Sequence, residues 1–363
     1  MKIVLYTALL FVIALFAGCE SKYQISSLPS AGASGTIGDT LYVHLNPDWT
    51  GFNQPTAIAF GNDGFLYVAD TYNDRIVMLD RNGVVIGYAS DAGPNGMRRP
   101  ISIAQDYRLN LLVCAQFDTT LPGHTSPTTF GAVYRLNLFA VGNNISQGVL
   151  KKVFFEPSDS ARRYTAVATL YNNSYYVSRT GPNNTGIDKD DNILLFFNDI
   201  LLTGLPPYFT WGGTGFMSIG KITGLATMPT KRSVDYVFCQ TGATSLFKVQ
   251  WIQLIVLGQT TDYESKFSAN TSDLSLVNRF QSPEGVTFDP AGNLYVVDAQ
   301  TDSLYRFSPN GAEHYSFGGT GSGDRQFRQP SGVAFSPIDH TLYVADAGNN
   351  RIVRFKLSTE INY

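Results

Sequence analysis

Residues 330–355 read PSGVAFSPIDHTLYVADAGNNRIVRF, and two other stretches of the chain repeat this pattern. Residues 55–80 read PTAIAFGNDGFLYVADTYNDRIVMLD, and residues 283–308 read PEGVTFDPAGNLYVVDAQTDSLYRFS. Each copy starts at a proline and contains three apolar stretches of alternating pattern, separated by turns rich in Gly, Asp and Asn. Alternation with a period of two between turn residues predicts antiparallel strands. A strand meander repeated every 40 to 60 residues or so, roughly one blade long, is typical of a propeller.

The middle of the chain sets the number of blades. At the spacing between Pro55 and Pro100, the stretch from Pro100 to Pro283 has room for four blades, which would make seven in all. The second-strand pattern occurs there only in LLVCAQ (111–116), YYVSRT (175–180) and YVFCQT (236–241). We therefore predict an all-β fold, a six-bladed β-propeller of four-stranded antiparallel blades with insertions, and seven blades remain the alternative.

The stretch between the last two of these patterns supplies three strands in turn. NILLFF (192–197) is the expected third strand of one blade and YFTWGG (208–213) its outer strand. ITGLATM (222–228) is then the inner strand of the next blade.

The last blade lacks an outer strand of its own, and an unpaired edge invites aggregation. The stretch TLYVHLNPDWTGFNQP (40–55) has the pattern of an outer strand followed by an inter-blade link. We predict that Thr40–Trp49 pairs with Arg351–Leu357 and closes the ring, with Leu41 and Val43 as buried side chains.

The repeats resemble a known family. LYVADTYNDRI (66–76) and LYVADAGNNRI (342–352) match the core motif of NHL repeats, and FGGTGSGDRQFRQPSGVAF (317–335) is similar to the usual link between their blades. The stretch from 256 to Pro283 resembles a longer linker of bacterial members. The resemblance implies a propeller and is specific in blades one, five and six.

The N-terminus is typical of an export signal. Residues 1–18 combine Lys2, an apolar stretch and small residues before Cys19, and the apolar stretch is too short to span a bilayer. LFAGC (15–19) resembles a bacterial lipobox, so we expect Cys19 to be lipidated; an ordinary secretory signal is the alternative. Residues 19–35 are then a flexible tether, and residues 36–363 form the propeller.

These features predict an exported lipoprotein of the cell envelope that its lipid anchors in the outer membrane. Both the periplasmic side and the cell-surface side remain possible. The net charge of −3 argues against nucleic acid as a partner.

Three insertions fall on one expected face of the propeller, where blade-to-blade links and the turns between second and third strands meet. They are 116–131, 179–191 and 258–282. Binding residues concentrate on loops that a rigid scaffold holds, although such a scaffold also tolerates insertions without function. The candidate ligand residues on this face are Phe117, Asp118, His124, Arg179, Asp188 and Asp190.

The repeated turn motif allows two interpretations. Its members are Asp70, Asn73, Arg75, Asp298, Asp346, Asn349 and Arg351. They form either a charged ring or, as we favour, a set of residues that satisfy turn amides and pair with one another. The positions equivalent to the aspartate hold Ala115, Arg179 and Gln240 in the middle blades, and Arg179 is a candidate anion contact.

Metal and cofactor signals are weak. The loop DKDDN (188–192) has carboxylates at alternate positions, as Ca²⁺ prefers, but Ile193 and Asp199 stand where a calcium loop needs Gly and Glu. We expect a solvated acidic turn and no cofactor, with calcium as the alternative. The four histidines, at 44, 124, 314 and 340, lack the spacing of metal ligands. One propeller that is similar to NHL-repeat propellers is a metal-dependent amidating lyase, but the histidines that bind its metal have no counterpart in this sequence.

The expected inner strands are mostly small and apolar, and Glu284 is the lone carboxylate at their starts. This favours a non-enzymatic binding or assembly module that presents a propeller face to a protein, peptide or glycan. A metal-dependent propeller enzyme of the lactonase or lyase type is the alternative. Cys114 and Cys239 fall in blades two and four, so we expect both thiols to stay unbridged.

Overall fold

The computed structural model describes residues 41–91, 93, 95–202, 209–228 and 232–361. Most of the described chain forms short antiparallel strands, which alternate along the sequence with tight turns. Strand β1 spans Tyr42–His44. The strands of blades one to three are β2 (Pro55–Phe60), β3 (Leu66–Asp70), β4 (Arg75–Leu79), β5 (Val85–Ser90), β6 (Arg98–Gln105), β7 (Asn110–Thr119), β8 (Thr128–Asn137), β9 (Lys151–Phe154), β10 (Arg163–Thr169), β11 (Tyr175–Thr180), β12 (Asn192–Phe197) and β13 (Ile200–Leu202).

Two short strands, β14 (Thr210–Trp211) and β15 (Ser218–Ile219), form a parallel pair outside the blades. The strands of blades four to six are β16 (Ile222–Thr227), β17 (Tyr236–Gln240), β18 (Val249–Leu257), β19 (Thr260–Ser265), β20 (Pro283–Phe288), β21 (Leu294–Asp298), β22 (Ser303–Phe307), β23 (Glu313–Gly318), β24 (Pro330–Phe335), β25 (Leu342–Asp346) and β26 (Arg351–Leu357). The described helices are single 3-10 turns, and none of them has the length and apolar character that crossing a bilayer requires.

Six sheets of four strands each form the blades, which confirms the six-bladed propeller. In blade one the order is β2, β3, β4, β5, and blades two to five repeat this meander. The inner strands pack on one another around the ring, and the closing contact joins β2 to β24. The insertions in the middle of the chain therefore enlarge existing blades and add no seventh one.

Strand β1 completes the last blade, as the sequence predicts. It runs antiparallel to β26, with Tyr42 opposite Leu357 and His44 opposite Phe355, and Trp49 forms a further bridge to Ile352. The predicted buried side chains were wrong. Tyr42 and His44 are buried and Val43 is half-buried, because the strand turns its even-numbered residues inward and Leu41 precedes the strand.

The predicted outer strand of blade three was also wrong. The outer strand is β13, which pairs with β12 through a two-residue turn at Asn198 and Asp199. Both turn residues have positive φ, 49° and 64°, which suits the tight turn of a twisted hairpin. Thr210–Trp211, from the stretch expected to form that strand, pairs with β15 instead.

Two of the three predicted insertions are partly regular structure. In blade two, β7 and β8 continue their ladder to Thr119 and Thr128, so most of 116–131 is an extended hairpin. In blade four, β19 uses 260–265 as the outer strand. The turn at Gly258 therefore joins third and outer strands, which places it on the opposite face from the one expected.

The inner strands approach closely where they carry glycine. A Cβ at Gly285 would lie 2.5 Å from the carbonyl oxygen of Ser331, and one at Gly332 would lie 2.8 Å from the Cα of Ala57. Backbone therefore meets backbone at these two junctions, which keeps the central channel narrow. Cys114 and Cys239 lie buried with free thiols in β7 and β17, as expected.

Candidate functional site

The central channel begins at a bulge in each inner strand. The register of every inner strand shifts near its start, for example between Pro55 and Ala57 and between Pro283 and Gly285. A bulge re-aims a side chain at the rim of a sheet. The residues placed at this level are Thr56, Ile101, Thr165, Thr223, Glu284 and Ser331, and all six line one mouth of the channel. We call them the mouth ring.

The mouth ring opens on the link face, which we define as the face of the blade-to-blade links and of the turns between second and third strands. The cavity there has a volume of about 270 Å³. A second cavity of about 390 Å³ opens on the opposite face, near Asn62 and Ile338. Six aliphatic side chains line both cavities and form a constriction between them: Ile58, Ile103, Val167, Leu225, Val286 and Val333.

The hydroxyl groups of the mouth ring join neighbouring blades. Thr223 donates to the carbonyl of Pro283 at 2.6 Å, and Ser331 donates to that of Pro55 at 3.2 Å. Thr56 lies 2.6 Å from the hydroxyl of Thr71 in the same blade, and Thr71 donates its own hydrogen to the carbonyl of Pro100 in blade two at 2.7 Å. Each of these hydrogens is held by protein, so the hydroxyl oxygens present lone pairs to the cavity.

Among the residues that the structure describes, Glu284 is the only carboxylate in the lining of the link-face cavity. Its Oε1 accepts a hydrogen bond from the hydroxyl of Ser282 at 3.1 Å. Burial raises its pKa to about 7, and the nearby charge of Asp298 acts in the same direction. A carboxyl group with this pKa changes charge near neutral pH, which makes it the chemically responsive group of the channel.

The aspartates of the repeated motif lie buried behind the mouth ring. Asp346 is fully buried and accepts hydrogen bonds from Asn349 at 2.8 Å, from Nε of Arg351 at 2.7 Å and from the backbone N–H of Arg328 at 2.7 Å. Because Arg328 belongs to the preceding link, this aspartate ties the link to the blade. Burial raises the pKa of Asp346, although its three hydrogen-bond donors act against that change.

Blade one makes the same connection with the same residue types, and blades four and five make it with different ones. Asp70 accepts from the backbone N–H of Asn53 and from Asn73 and Arg75. Asp298 accepts from four backbone N–H groups, those of Gln281, Ser282, Gln300 and Thr301. In blade four the amide of Gln240 accepts from the N–H of Gly220 and donates to the carbonyls of Ser218 and Phe247. The geometry agrees with the structural interpretation of this motif.

In blade three the charges of this motif are reversed. Arg179 occupies the buried position, and its guanidinium contacts Glu156 at 2.9 Å and Asp188 at 2.6 Å. Arg162 contacts Glu156 at 2.6 Å and the buried Asp190 at 2.7 Å. Asp190 in turn accepts from the backbone N–H of Asn183. The network therefore fastens the loop 181–191 to the link face, and the guanidinium of Arg179 is occupied by the protein's own carboxylates.

The other candidate ligand residues lie on the extended hairpin of blade two. Phe117 is buried and stacks on Phe130 with ring centroids 5.6 Å apart. Asp118 accepts from the hydroxyl of Thr129 at 2.5 Å, and His124 is exposed at the tip. The structure thus separates the six candidates into a charged group in blade three and a hairpin group in blade two.

A family model described as the NHL repeat matches residues 52–78 and 327–355. Those ranges cover the first three strands of blade one and of blade six. The chain is a six-bladed β-propeller in which blades one and six match the NHL repeat.

Several solved structures share this propeller fold. A luciferin-regenerating enzyme matches with a TM-score of 0.56 and 12% identity over 88% of this chain and 95% of its own. The PQQ-bound aldose sugar dehydrogenase from Streptomyces coelicolor gives 0.54 and 16% over 89% and 100%. Virginiamycin B lyase from Staphylococcus aureus gives 0.51 and 11% over 88% and 100%. At these identities the likeness shows the fold alone.

The NHL-repeat propeller has no cluster of three or more His, Cys, Asp or Glu side chains placed to hold a metal, within the part of the chain that the structure describes. In the loop 188–192, where calcium was the alternative prediction, Asp188 and Asp190 contact the guanidinium groups of Arg162 and Arg179. The oxygens of these carboxylates already contact guanidinium groups, which disfavours a cation at the same oxygens.

The sequence did not predict two members of the network around Arg179. Arg162 and Glu156 lie in the link before blade three, where the repeat pattern is weakest, and only the fold brings them to the turn. The mouth ring had a usable signal, because four of its members directly follow the first residue of an inner strand: Thr56, Thr223, Glu284 and Ser331. Residues 1–40, with Cys19, the signal and the tether, lie outside the described residues.

Proposed function

We propose that this NHL-repeat propeller is a non-enzymatic binding or assembly module of the bacterial cell envelope. It is exported, lipidated at Cys19 and held at the outer membrane, and its link face binds a protein, peptide or glycan. The observation that carries the proposal is that the network of Arg162 and Arg179 holds the loop 181–191 of blade three in place on this face.

This loop is held rigid and yet presents free surface. Asn183 and Asn184 hydrogen-bond to Asp190 and Asp191 at 2.7 Å each, while Ile187 at the tip is fully exposed and Asp188 largely so. A loop that is already ordered loses little conformational entropy on binding. An exposed aliphatic side chain on such a loop is suited to contact a partner surface.

Site-specific photo-crosslinking in intact cells tests the proposal. A photoreactive amino acid is placed at Ile187 or at His124 on the link face, and at Ile338 on the opposite face as the matched exposed control. We expect discrete adducts from the two link-face positions and none from the control. Adducts from Ile338 alone, or equal adducts from all three positions, would contradict a partner on the link face.

A propeller enzyme of the lactonase or lyase type is the second candidate, and Glu284 favours it. A carboxyl group whose pKa is about 7 suits general acid–base chemistry near neutral pH. The virginiamycin B lyase and the gluconolactonase from Xanthomonas campestris, at TM-scores of 0.51 each, share the fold. Turnover of a panel of lactones that is abolished in Glu284→Gln would establish this candidate, whereas equal rates in both proteins would reject it.

A further inference from the structure

We propose that the mouth ring is a binding site for a primary ammonium group on a short alkyl chain, with Glu284 as its counter-ion. The inference goes beyond the proposed function, because it concerns the channel and needs no partner on the surrounding loops.

The side chains of the mouth ring offer hydrogen-bond acceptors. Thr223 and Ser331 donate their hydrogens to the carbonyls of Pro283 and Pro55. The hydroxyl of Thr71 donates to Pro100 at 2.7 Å, so Thr56 is the donor in its contact with Thr71. What remains toward the cavity is a set of hydroxyl lone pairs together with the carboxylate of Glu284. A ligand group that fits must bring its own hydrogens, and an ammonium group brings three.

The charges that line the cavity also favour a cationic ligand. Within the described parts of the chain, no Lys, Arg or His side chain lines the link-face cavity, so the carboxylate there has no cationic partner among those lining residues. A buried carboxylate without a partner is costly, and a bound cation relieves that cost. The aliphatic constriction below the ring, which includes Leu225 and Val286, provides an apolar surface for an alkyl chain.

The ionisation of Glu284 makes this site pH-dependent. The titratable groups close to it are Asp298, whose charge raises the pKa of Glu284, and Cys239, whose own pKa lies well above its ordinary value because the thiol is buried. Ser331 and Gly332 from blade six and Thr223 from blade four complete the wall without ionising. Glu284 is therefore the group that switches the affinity as pH changes near neutrality.

Isothermal titration calorimetry on the whole protein tests the site. The probes are n-butylammonium, as a free amine, and Nα-acetyl-L-lysine N-methylamide, as a lysine side chain of a polypeptide. The uncharged n-butanol and the anion butyrate are the controls. We expect one or both cations to bind and the controls to fail. Binding of the lysine probe alone would assign the site to a polypeptide side chain, and binding of butylammonium alone would assign it to a small amine.

Variants connect the binding to the mouth ring. Glu284→Gln keeps the shape and removes the charge, so we expect affinity to fall at least about tenfold, as for the loss of a charge-assisted bond. Glu264→Gln, on the exposed outer strand of blade four, is the matched control and should leave affinity unchanged. In the wild type, affinity should fall about tenfold from near pH 8 to near pH 6, because the fraction of ionised Glu284 falls by that factor.

Three results would overturn the inference. They are equal binding of n-butanol, unchanged affinity in Glu284→Gln, and displacement of the amine by Ca²⁺, which would identify a metal site. Photo-adducts on the link face are measured independently of these titrations, so failure of the amine site and failure of the proposed function are distinguishable.

Discussion

At the scale of single residues, two carboxylates of this propeller, the buried Asp346 and the half-buried Glu284, have different roles. Asp346 is saturated with donors and joins a link to its blade, whereas Glu284 has one weak donor and faces a cavity. The difference predicts opposite effects when each charge is removed. Removing the charge of Asp346 leaves its hydrogen-bond donors without this acceptor, whereas removing that of Glu284 eliminates a half-buried charge that has no cationic partner in the cavity lining.

Asp346→Ala should destabilise the protein by about 1–3 kcal/mol, because Nε of Arg351, the amide of Asn349 and the backbone N–H of Arg328 lose a shared acceptor, while Arg351 keeps its contact with Asp48. Urea unfolding followed by tryptophan fluorescence measures the loss. Asp262→Ala, an exposed aspartate on β19, should change stability by less than about 0.5 kcal/mol. Equal effects of the two substitutions would mean that the motif does not hold the link.

Glu284 should make stability fall as pH rises. Its folded pKa of about 7 exceeds the unfolded value of about 4.3, so its contribution is complete below the unfolded value and is lost as pH rises through the folded value. Glu284→Gln removes this dependence. We expect the two proteins to melt together near pH 4 and the variant to melt a few degrees higher near pH 8. A constant difference in Tm would mean that Glu284 stays ionised at every pH.

At the scale of elements, the inner strands are placed by how closely their backbones approach. Gly285→Ala should cost about 1–3 kcal/mol, because the new Cβ would lie 2.5 Å from the carbonyl oxygen of Ser331, and backbone moves only by separating blades five and six. Gly186→Ala, whose Cβ would meet nothing within 4 Å, is the control. Thermal unfolding of both variants measures the difference, and equal melting temperatures would show that the junction yields easily.

Elements also show how far the sequence determines the fold. The copies at 55–80, 283–308 and 330–355 predict their blades because each strand is bounded by Gly, Pro, Asn or Asp, and all three form as expected. β13 escaped prediction because its turn, Asn198–Asp199, has no glycine and joins two nearly uniform apolar runs. The network of Arg179 escaped because Glu156 and Arg162 lie in the irregular link before β10, and the pairing of β10 with β11 brings that link to the turn.

At the scale of the whole molecule, the proposed lipidation and membrane location can be tested independently of the binding function. We expect Cys19 to carry lipid, since LFAGC at 15–19 resembles a lipobox. Metabolic labelling with a fatty-acid analogue measures this. Wild type should be labelled and should fractionate with membranes, whereas Cys19→Ser should lose the label. Label retained by the variant would rule out acylation at this residue.

Ring closure is the property that belongs to the molecule as a whole. β1 joins the beginning of the propeller to its last blade, and the hydroxyls of Tyr42 and Tyr295 lie 2.8 Å apart, so the same strand also reaches blade five. Asp48 connects His44 and Arg351 at 2.7 Å each. Burial alone would raise the pKa of Asp48, but the bonds and charges of these two partners outweigh it and lower that pKa. Its ionised form therefore favours the closed ring, and this contribution is lost only as pH falls through the lowered value.

Two truncations measure how much the ring depends on this segment. Removing residues 20–35 should leave the melting temperature unchanged, because that stretch is the predicted tether. Removing residues 20–49 removes the backbone ladder to β26 and the contact of Asp48 with Arg351. It also removes the indole of Trp49, which packs on Tyr343 of blade six with ring centroids 5.5 Å apart and approaches Gly83 of blade one. Burying such side chains contributes about 1.5–3 kcal/mol each, against a total stability of about 5–15 kcal/mol for a typical protein. We therefore expect the longer deletion to melt far lower and to self-associate in size-exclusion chromatography through the bared edge of β26. Equal melting temperatures, with both proteins monomeric, would mean that the contacts between β2 and β24 hold the ring without its closing strand.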